Sequence, residues 1–423
     1  MPLSMDSRES PPSRTQRRRR LATASTVFAI LVTILLCYTR FDEVSFRSVP
    51  NPPLLKMPGS PMADEATKHP SLKHPTLLGS LPASALPKPG GGPDSPRLII
   101  IGDVHGQLSA LDALLHKAGY SSARRDQVVF LGDMINKGPD SPGVIDRAIA
   151  IGAWGVRGNH EDRVLRAWAK HIHSKADDEN LKAEEEQWEG EGSAEEKEAV
   201  GKSSKTEKAD RATAASLTPT QLSWLAKLPV ILRLGTVSPY YGEVVAVHAG
   251  LIPDVPLEKQ DPWAAMNMRT LLGHSSASLD PAALSKLRPS EGREGRPWAE
   301  LWNALEKAKH KKGQGGKTTV VYGHDAKTGL SVRRYAFGID SNCVRGGDLT
   351  ALVFEATSSL ADSSTVEDEG SDTGNDEVNE QARAKHGITH RLVSVACEKK
   401  KDKHKHKGKA KDKDKKKEKG KDI

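Results

Sequence analysis

Arg97–Gly106 reads RLIIIGDVHG. Four apolar residues in a row, three of them β-branched, are too few for a helix and have no polar face, so they read as a strand buried on both sides. The run breaks at Gly102 and presents Asp103, then His105. A buried strand that ends in a carboxylate and an imidazole is where an α/β domain places its chemistry, beyond the carboxyl ends of the strands.

Four further stretches repeat this grammar: QVVFLGDM (Gln127–Met134), AWGVRGNH (Ala153–His160), EVVAVHAGL (Glu243–Leu251) and TTVVYGHD (Thr318–Asp325). Each is a short apolar or β-branched run that stops in Gly, Asp, Asn or His. Between the first two strands, Leu108, Leu111, Leu114 and Leu115 recur at helical spacing, and Gly119 is placed to end that helix. Thr218 and Pro219 open another helix as N-cap and first residue. DLTALVFE (Asp348–Glu355) and HRLVSVAC (His390–Cys397) read as two paired strands with the acidic segment between them looped out.

The strand ends together offer Asp103, His105, Asp133, Asn159, His248 and His324. Mixed oxygen and imidazole donors suit Zn, Mn, Fe or Co, and six are too many for one ion. Two ions about 3.5 to 4 Å apart can lower the pKa of an attacking water and clamp phosphoryl oxygens. Any one of these residues alone could equally be a helix cap, a turn residue or a satisfied polar group.

The ordered set GDVHG, GDMINKGP, RGNHE, VHAGL and YGHD resembles the signature of the calcineurin-like metallophosphoesterases within the phosphoprotein-phosphatase superfamily. The resemblance runs from Arg97 to about Cys397 and implies an α/β fold, a two-sheet β-sandwich flanked by helices. It implies that Asp103 and His105 hold one metal, that Asp133 bridges, and that Asn159, His248 and His324 hold the second. It also implies His160 as general acid for the leaving oxygen, and Arg157 and Lys137 close to the phosphate. In the Ser/Thr phosphatases, however, an acid stands where this chain has Asn136, and Arg where it has Lys137. Asn136 can hydrogen-bond His160 but cannot favour its charged form as a carboxylate would. A phosphoanhydride releases an already stable phosphate and tolerates weaker proton donation than an alkoxide leaving group. Lys137 is a flexible point charge rather than a bidentate fork.

Asn136, Lys137, the following GPDS and the later GIDSNCVRGGDLTAL (Gly338–Leu352) resemble the ApaH-like branch, whose members hydrolyse phosphoanhydrides. Within it, the fungal vacuolar zinc-dependent endopolyphosphatases carry an N-terminal membrane anchor. That similarity implies zinc among the possible ions and inorganic polyphosphate as substrate, with dinucleoside polyphosphates or capped RNA as alternatives. A Ser/Thr protein phosphatase is disfavoured by Asn136. A membrane-tethered polyanion-binding protein without activity would be expected to lack a ligand, and none is missing.

The rest of the 423 residues surrounds that domain. Residues 1–20 form a basic, cytoplasmic N-terminus, and RRRR leads into an uncharged run from Leu21 to Thr39, long enough as a helix to cross a bilayer. More cations precede this run than follow it, so a single-pass type II orientation is expected, with the rest of the chain lumenal or outside; the resemblance to the endopolyphosphatases implies that the lumen is vacuolar. Residues 40–96 read as a Pro-rich stalk and 97–397 as the catalytic domain. Inserts at about 174–216 and 361–386 are expected to be disordered. The tail 398–423 has 14 Lys against 6 Asp and Glu, so its +8 equals the formal net charge of the whole chain. The basic balance therefore belongs to the ends, and nucleic acid is an unlikely partner for a lumenal domain. A polyphosphate track is expected from the basic run Lys307–Lys317 with Arg333, Arg334 and Arg345, all of which could equally be ordinary surface cations. Cys37, Cys343 and Cys397 are too few for a disulfide framework, and free, buried thiols are expected over a Cys343–Cys397 bridge.

Overall fold

The computed structural model describes residues 75–92, 94–177, 194–273, 279–313, 316–357 and 386–398. The basic N-terminus, the Leu21–Thr39 run, most of the 361–386 insert and nearly all of the tail lie outside the described residues. No helix among the described residues is long and apolar enough to cross a membrane.

The strands in chain order are β1 (Leu78–Ser80), β2 (Leu98–Ile101), β3 (Gln127–Phe130), β4 (Trp154–Gly155), β5 (Ile231–Ser238), β6 (Gly242–Val247) and β7 (Thr270–Leu272). They continue as β8 (Arg288–Ser290), β9 (Arg296–Pro297), β10 (Thr318–Tyr322), β11 (Ser331–Val332), β12 (Ala336–Gly338), β13 (Asp348–Ala356) and β14 (Ile388–Ala396). One mixed sheet has the order β1-β5-β6-β10-β12-β11, a second β14-β13-β2-β3-β4, and a small third β8-β7-β9. The helices are α1 (Leu108–Ala118), α2 (Ser141–Ala150), α3 (Asn159–Asp177), α4 (Ala194–Ser216), α5 (Pro219–Ala226), α6 (Pro262–Asn267), α7 (Pro281–Leu284) and α8 (Trp298–Lys311).

The two large sheets pack face to face, and strand alternation decides how. Leu98 and Ile100 of β2 join Val129, Leu232, Val244, Ala246, Val321 and Phe354 in one core between the sheets. Ile99 and Ile101, pointing the other way, pack with Leu111, Leu114 and Ile145 of the covering helices. A third core lies on the outer face of the first sheet, around Trp298, Trp302 and Leu305 of α8. All four β2 residues are therefore fully buried, as the unbroken apolar run demands. Parallel pairing of β2 with β3 and β3 with β4 brings three carboxyl ends to one rim, and parallel pairing of β6 with β10 brings two more.

Helix ends follow the sequence signals. Gly119 closes α1 in the left-handed conformation at φ 68°. Thr218 and Gln221 form a reciprocal capping box at the start of α5, with Pro219 in the first turn. β13 and β14 pair antiparallel through nine residues on each side.

Three expectations are corrected. The end of the expected 40–96 stalk belongs to the fold: β1 pairs parallel with β5, and Leu81, Ala85 and Leu86 are buried. Proline limits a segment's hydrogen bonding but does not stop its leucines from finding a core. Within the expected 174–216 disorder, 194–216 is helical and its end is anchored by buried Ala214. Cys343 and Cys397 are joined in a disulfide with Cα atoms 5.2 Å apart. The β13–β14 register explains the meeting: Asp348 lies opposite Ala396, and the Cys397 amide donates to Gly347, which delivers Cys397 to the turn that carries Cys343.

That bridge spans 54 residues of sequence, so it restricts a long loop in the unfolded chain. Replacing both cysteines with serine should lower unfolding stability by about 3 kcal/mol. Urea titration of the double variant against the oxidised parent measures this, and an unchanged midpoint would show that the bridge contributes nothing.

Candidate metal and phosphate site

Asp103 and His105 follow β2, Asp133 follows β3, Asn159 opens α3 just after β4, and His248 and His324 follow β6 and β10. The fold brings these ends together. His105 Nε2 lies 3.5 Å from Asp133 Oδ2 and 4.0 Å from Asp103 Oδ2. His248 Nε2 lies 3.4 Å from Asp133 Oδ1, 3.3 Å from Asn159 Oδ1 and 3.1 Å from His324 Nδ1. Two triads of possible ligands result, His105–Asp133–His160 and Asp133–His248–His324, and Asp133 is common to both.

Each ligand-type imidazole is aimed by its outer nitrogen. His105 Nδ1 donates to the Ile135 carbonyl at 3.1 Å, and His248 Nδ1 to the Leu131 carbonyl at 2.7 Å. His324 uses the opposite nitrogen, Nε2, toward the Asn267 carbonyl at 2.9 Å. The inner nitrogens of all three are left with lone pairs facing Asp133, the orientation that a carbonyl behind a metal-ligating histidine enforces. Burial pushes His105 and His324 well below the usual histidine range and His248 down to about 4, so all three are neutral at neutral pH, the form in which an imidazole can ligate. Burial, with Asp340 and Asp133 nearby, raises Asp103 well above its ordinary value, and burial raises Asp133 to about 6. Desolvated carboxylates facing neutral imidazoles are a donor set that divalent cations would satisfy, and these residues fit two such ions.

The backbone carries strain at the same place. His105, Asp133, Asn136, Lys137 and His324 all have positive φ, between 48° and 69°. Non-glycine residues there cost about 1–3 kcal/mol each and persist where surrounding structure over-determines them.

Glu161 supplies much of that determination, and sequence reasoning assigned it no role. Fully buried, its Oε2 accepts from the Asp133 amide at 2.7 Å and the Gly158 amide at 2.9 Å. Its Oε1 accepts from Met134 at 2.8 Å and Ile135 at 3.3 Å. Burial and then Asp133 raise its pKa to about 7. Asp340 was also unassigned, although it stands in the quoted GIDSN stretch; it lines the site and raises Asp103.

The site opens into a cavity of about 420 Å³ whose walls include Lys137, Arg269, Arg293, Lys327 and Arg345. Of the expected cationic track, only Arg345 lies here. Arg333 pairs with Glu300 at 3.2 Å, and Arg334 lies 3.6 Å over the Tyr240 ring. Lys309, in the basic run of α8, pairs with Asp254 and Glu306. Arg293 is supplied by the turn between β8 and β9 and ion-pairs with Asp325. Lys137 Nζ reaches within 3.1 Å of His105 Nε2. Arg157, expected beside the phosphate, is a correction: it is 2% exposed, donates to the Ala226 carbonyl at 2.6 Å, and is not among the cavity-lining residues. It also pairs with Asp162 at 3.7 Å. Its place in RGNHE gave no sign of the turn away from the cavity, because the carbonyl it donates to belongs to α5, about seventy residues later.

A family model described as calcineurin-like phosphoesterase matches residues 96–354. The chain belongs to that family. Among its relatives, the asymmetrical bis(5'-nucleosyl)-tetraphosphatase of Oceanobacillus iheyensis is 27% identical over 61% of this chain and 88% of its own. A symmetrical bis(5'-nucleosyl)-tetraphosphatase of Acidovorax sp. is 26% identical over 63% of this chain and 94% of its own. The zinc-dependent endopolyphosphatase of Saccharomyces cerevisiae is 26% identical over 80% of this chain and 93% of its own. ApaH-like tetraphosphatases and an endopolyphosphatase are thus homologues at modest identity, and the family is one of metal-dependent phosphoesterases.

In Glu161→Gln, one carboxylate oxygen becomes an NH₂ group facing backbone N–H donors. The variant should lose about 1–3 kcal/mol of stability and bind less metal, as Asp133 is no longer held. Urea unfolding and elemental analysis of the purified protein check both, and full metal content would contradict the role.

Proposed function

We propose that the protein hydrolyses phosphoanhydride bonds within inorganic polyphosphate, as an endopolyphosphatase. The observation that carries this reading is the ligand cluster sharing Asp133 beside a cavity rimmed by five cations. Two divalent ions held by Asp103, His105, Asp133, Asn159, His248 and His324 would supply an activated water and neutralise charge on the transferring phosphoryl group. Zinc is the first candidate, since the yeast relative is zinc-dependent.

The protein's own groups define the rest. Lys137, 3.1 Å from His105 Nε2, stands where it can neutralise a phosphoryl oxygen. Arg269, Arg293, Lys327 and Arg345 line the approach, so neighbouring phosphates of a chain find cations on several sides. His160 faces the same cavity and can donate a hydrogen bond to the departing oxygen. Burial, with the charges of Lys137 and Arg163 nearby, drives its pKa far below the ordinary histidine value, so it is neutral. A neutral imidazole is a weak acid, which suits a phosphate leaving group and not an alkoxide.

The bacterial relatives act on dinucleoside tetraphosphates, and the same site could take that substrate class. The lining favours the inorganic chain: among the described residues it includes no Phe, Tyr or Trp on which a base would stack. We also propose a type II membrane topology with the catalytic domain in an oxidising, vacuolar lumen. The uncharged Leu21–Thr39 run and the Cys343–Cys397 bridge support it, because disulfides persist in such compartments. Protection of the domain from added protease in intact vesicles, lost on detergent lysis, tests the topology.

Full-length protein supplied with Zn²⁺, Mn²⁺ or Co²⁺ should shorten long-chain polyphosphate to intermediate lengths on a gel. Asp133→Asn should abolish the shortening, and unshortened chains with every ion would refute the reading. Arg293→Ala should raise KM for polyphosphate on the order of tenfold while leaving kcat for p-nitrophenyl phosphate within about twofold. Equal losses on both substrates would place Arg293 outside chain binding.

A further inference from the structure

The helix α4 (Ala194–Ser216) lies in a stretch whose composition reads as disordered, yet it delivers two side chains to the catalytic histidine's neighbour. Asp210 is 4% exposed. Its Oδ1 accepts from Asn136 Nδ2 at 2.8 Å, and its Oδ2 from Arg163 Nε at 3.0 Å. One turn on, Thr213 Oγ1 donates to Asn136 Oδ1. Asn136 Nδ2 also lies 3.0 Å from His160 Nδ1, and Arg163 Nη2 lies 2.9 Å from the same atom.

These contacts determine which way round the carboxamide sits. A carbonyl oxygen has no hydrogen, so the Thr213 hydroxyl must be the donor to Oδ1. A carboxylate accepts, so Asp210 must face the NH₂. Asn136 then has one hydrogen for Asp210 and one for His160, and His160 Nδ1 receives it as an acceptor. Arg163 Nη2, which can only donate, lies 2.9 Å from Nδ1 and 3.3 Å from Nε2, so its shorter contact falls on the nitrogen that Asn136 also addresses, and the Asn136 amide decides the tautomer. The ring proton is left on Nε2, which points toward Asp133 with a separation of 3.8 Å. A protonated nitrogen cannot ligate a metal. His160 thus stands among the ligand-type side chains around Asp133 as a hydrogen-bond donor.

We propose that Asp210 and Thr213 are positioning residues for the hydrolytic reaction: through Asn136 they hold His160 as an Nε2–H donor aimed at the departing phosphate oxygen. The inference rests on the phosphoanhydride reading above and deepens it. It makes α4 a working part of the site and gives Asn136 a supporting acid that neither its own position nor the strand-end motifs supply. It also means that Asn136→Asp alone sets two buried carboxylates against each other, so conversion toward phosphomonoester chemistry requires Asp210→Asn as well.

The test uses full-length protein in detergent with ¹⁵N-labelled histidine, the His160→Gln variant giving the assignment. Long-range ¹H–¹⁵N spectra of the metal-free protein should show His160 as the Nε2–H tautomer. Thr213→Val and Asp210→Ala should disturb that pattern, and Thr213→Ser should keep it. With metal restored, Thr213→Val and Asp210→Ala should lower kcat on tripolyphosphate on the order of tenfold, with KM and bound metal unchanged. Thr213→Ser should restore the rate. An Nδ1–H tautomer in the parent, or an unchanged spectrum and kcat in a folded Thr213→Val, would overturn the proposal. If the parent cleaves only p-nitrophenyl phosphate, and Thr213→Val still lowers that kcat with the spectral change, the positioning role stands and the anhydride reading falls.

Discussion

A single buried carboxylate, Glu161, ties two strand ends into one site. Its oxygens accept from the amides of Asp133, Met134 and Ile135 after β3 and from Gly158 after β4. Four donors converging on one carboxylate satisfy backbone groups that would otherwise be buried without partners. They also hold Asp133 at φ 49°, a conformation that its own covalent geometry disfavours. The approach is so close that a Cβ on Gly158 would meet the Asp133 amide at 2.5 Å. Only glycine fits there, and the GNHE turn and the GD turn are therefore fixed as one object.

From that fixed Asp133 the other ligand-type side chains follow by strand pairing. β3 aligns with β2, which sets Asp103 and His105, and the opposing sheet brings in His248 and His324. The two sheets are joined electrostatically as well as by packing: the His324 amide donates to Asp103 Oδ1 at 3.0 Å, and His248 donates to the Leu131 carbonyl across the core. Such a site is held together at a cost. Left-handed backbone, desolvated carboxylates and neutral imidazoles all oppose folding when uncompensated, and the apolar core between the sheets is what carries them.

Much of this was legible because the signals are local. An unbroken run such as Leu98–Ile101 states its burial, and the residue after it states what stands at the rim. The paired strands β13 and β14, the Thr218 cap and the Gly119 stop were readable for the same reason. The failures share a different cause. Arg157 turned away in part because one of its partners, the Ala226 carbonyl, is set by the packing of a helix distant in sequence. The Cys343–Cys397 bridge depends on strand register across 54 residues, and the segment before Arg97 joined the fold because β5 offered an unpaired edge. Composition judged each of these segments by its average, and long-range contacts are carried by one or two residues.

The helix α4 shows how far that distinction reaches. Its sequence is rich in Glu, Lys and Ala and has almost no apolar face, so nothing in its average asks for burial. Asp210 and Ala214, four residues apart and therefore on one side of the helix, are both buried, and Thr213 lies beside them. Arg163, one turn into α3 from His160, pairs with Asp210 and so joins the insert to the helix that carries His160. An acid needed beside a catalytic histidine can stand directly in its motif or can reach it through an amide, and the second arrangement changes the chemistry. A carboxylate touching the imidazole would draw its Nδ1 proton and favour the charged ring; an amide held by a carboxylate gives a hydrogen to Nδ1 and favours the neutral one. The exchange at Asn136 is therefore not a loss that the rest of the protein tolerates. Asp210 stands one hydrogen bond farther out than such a carboxylate would, so the acid reaches the His160 ring only through the Asn136 amide, and what that amide presents to Nδ1 is a hydrogen rather than a charge.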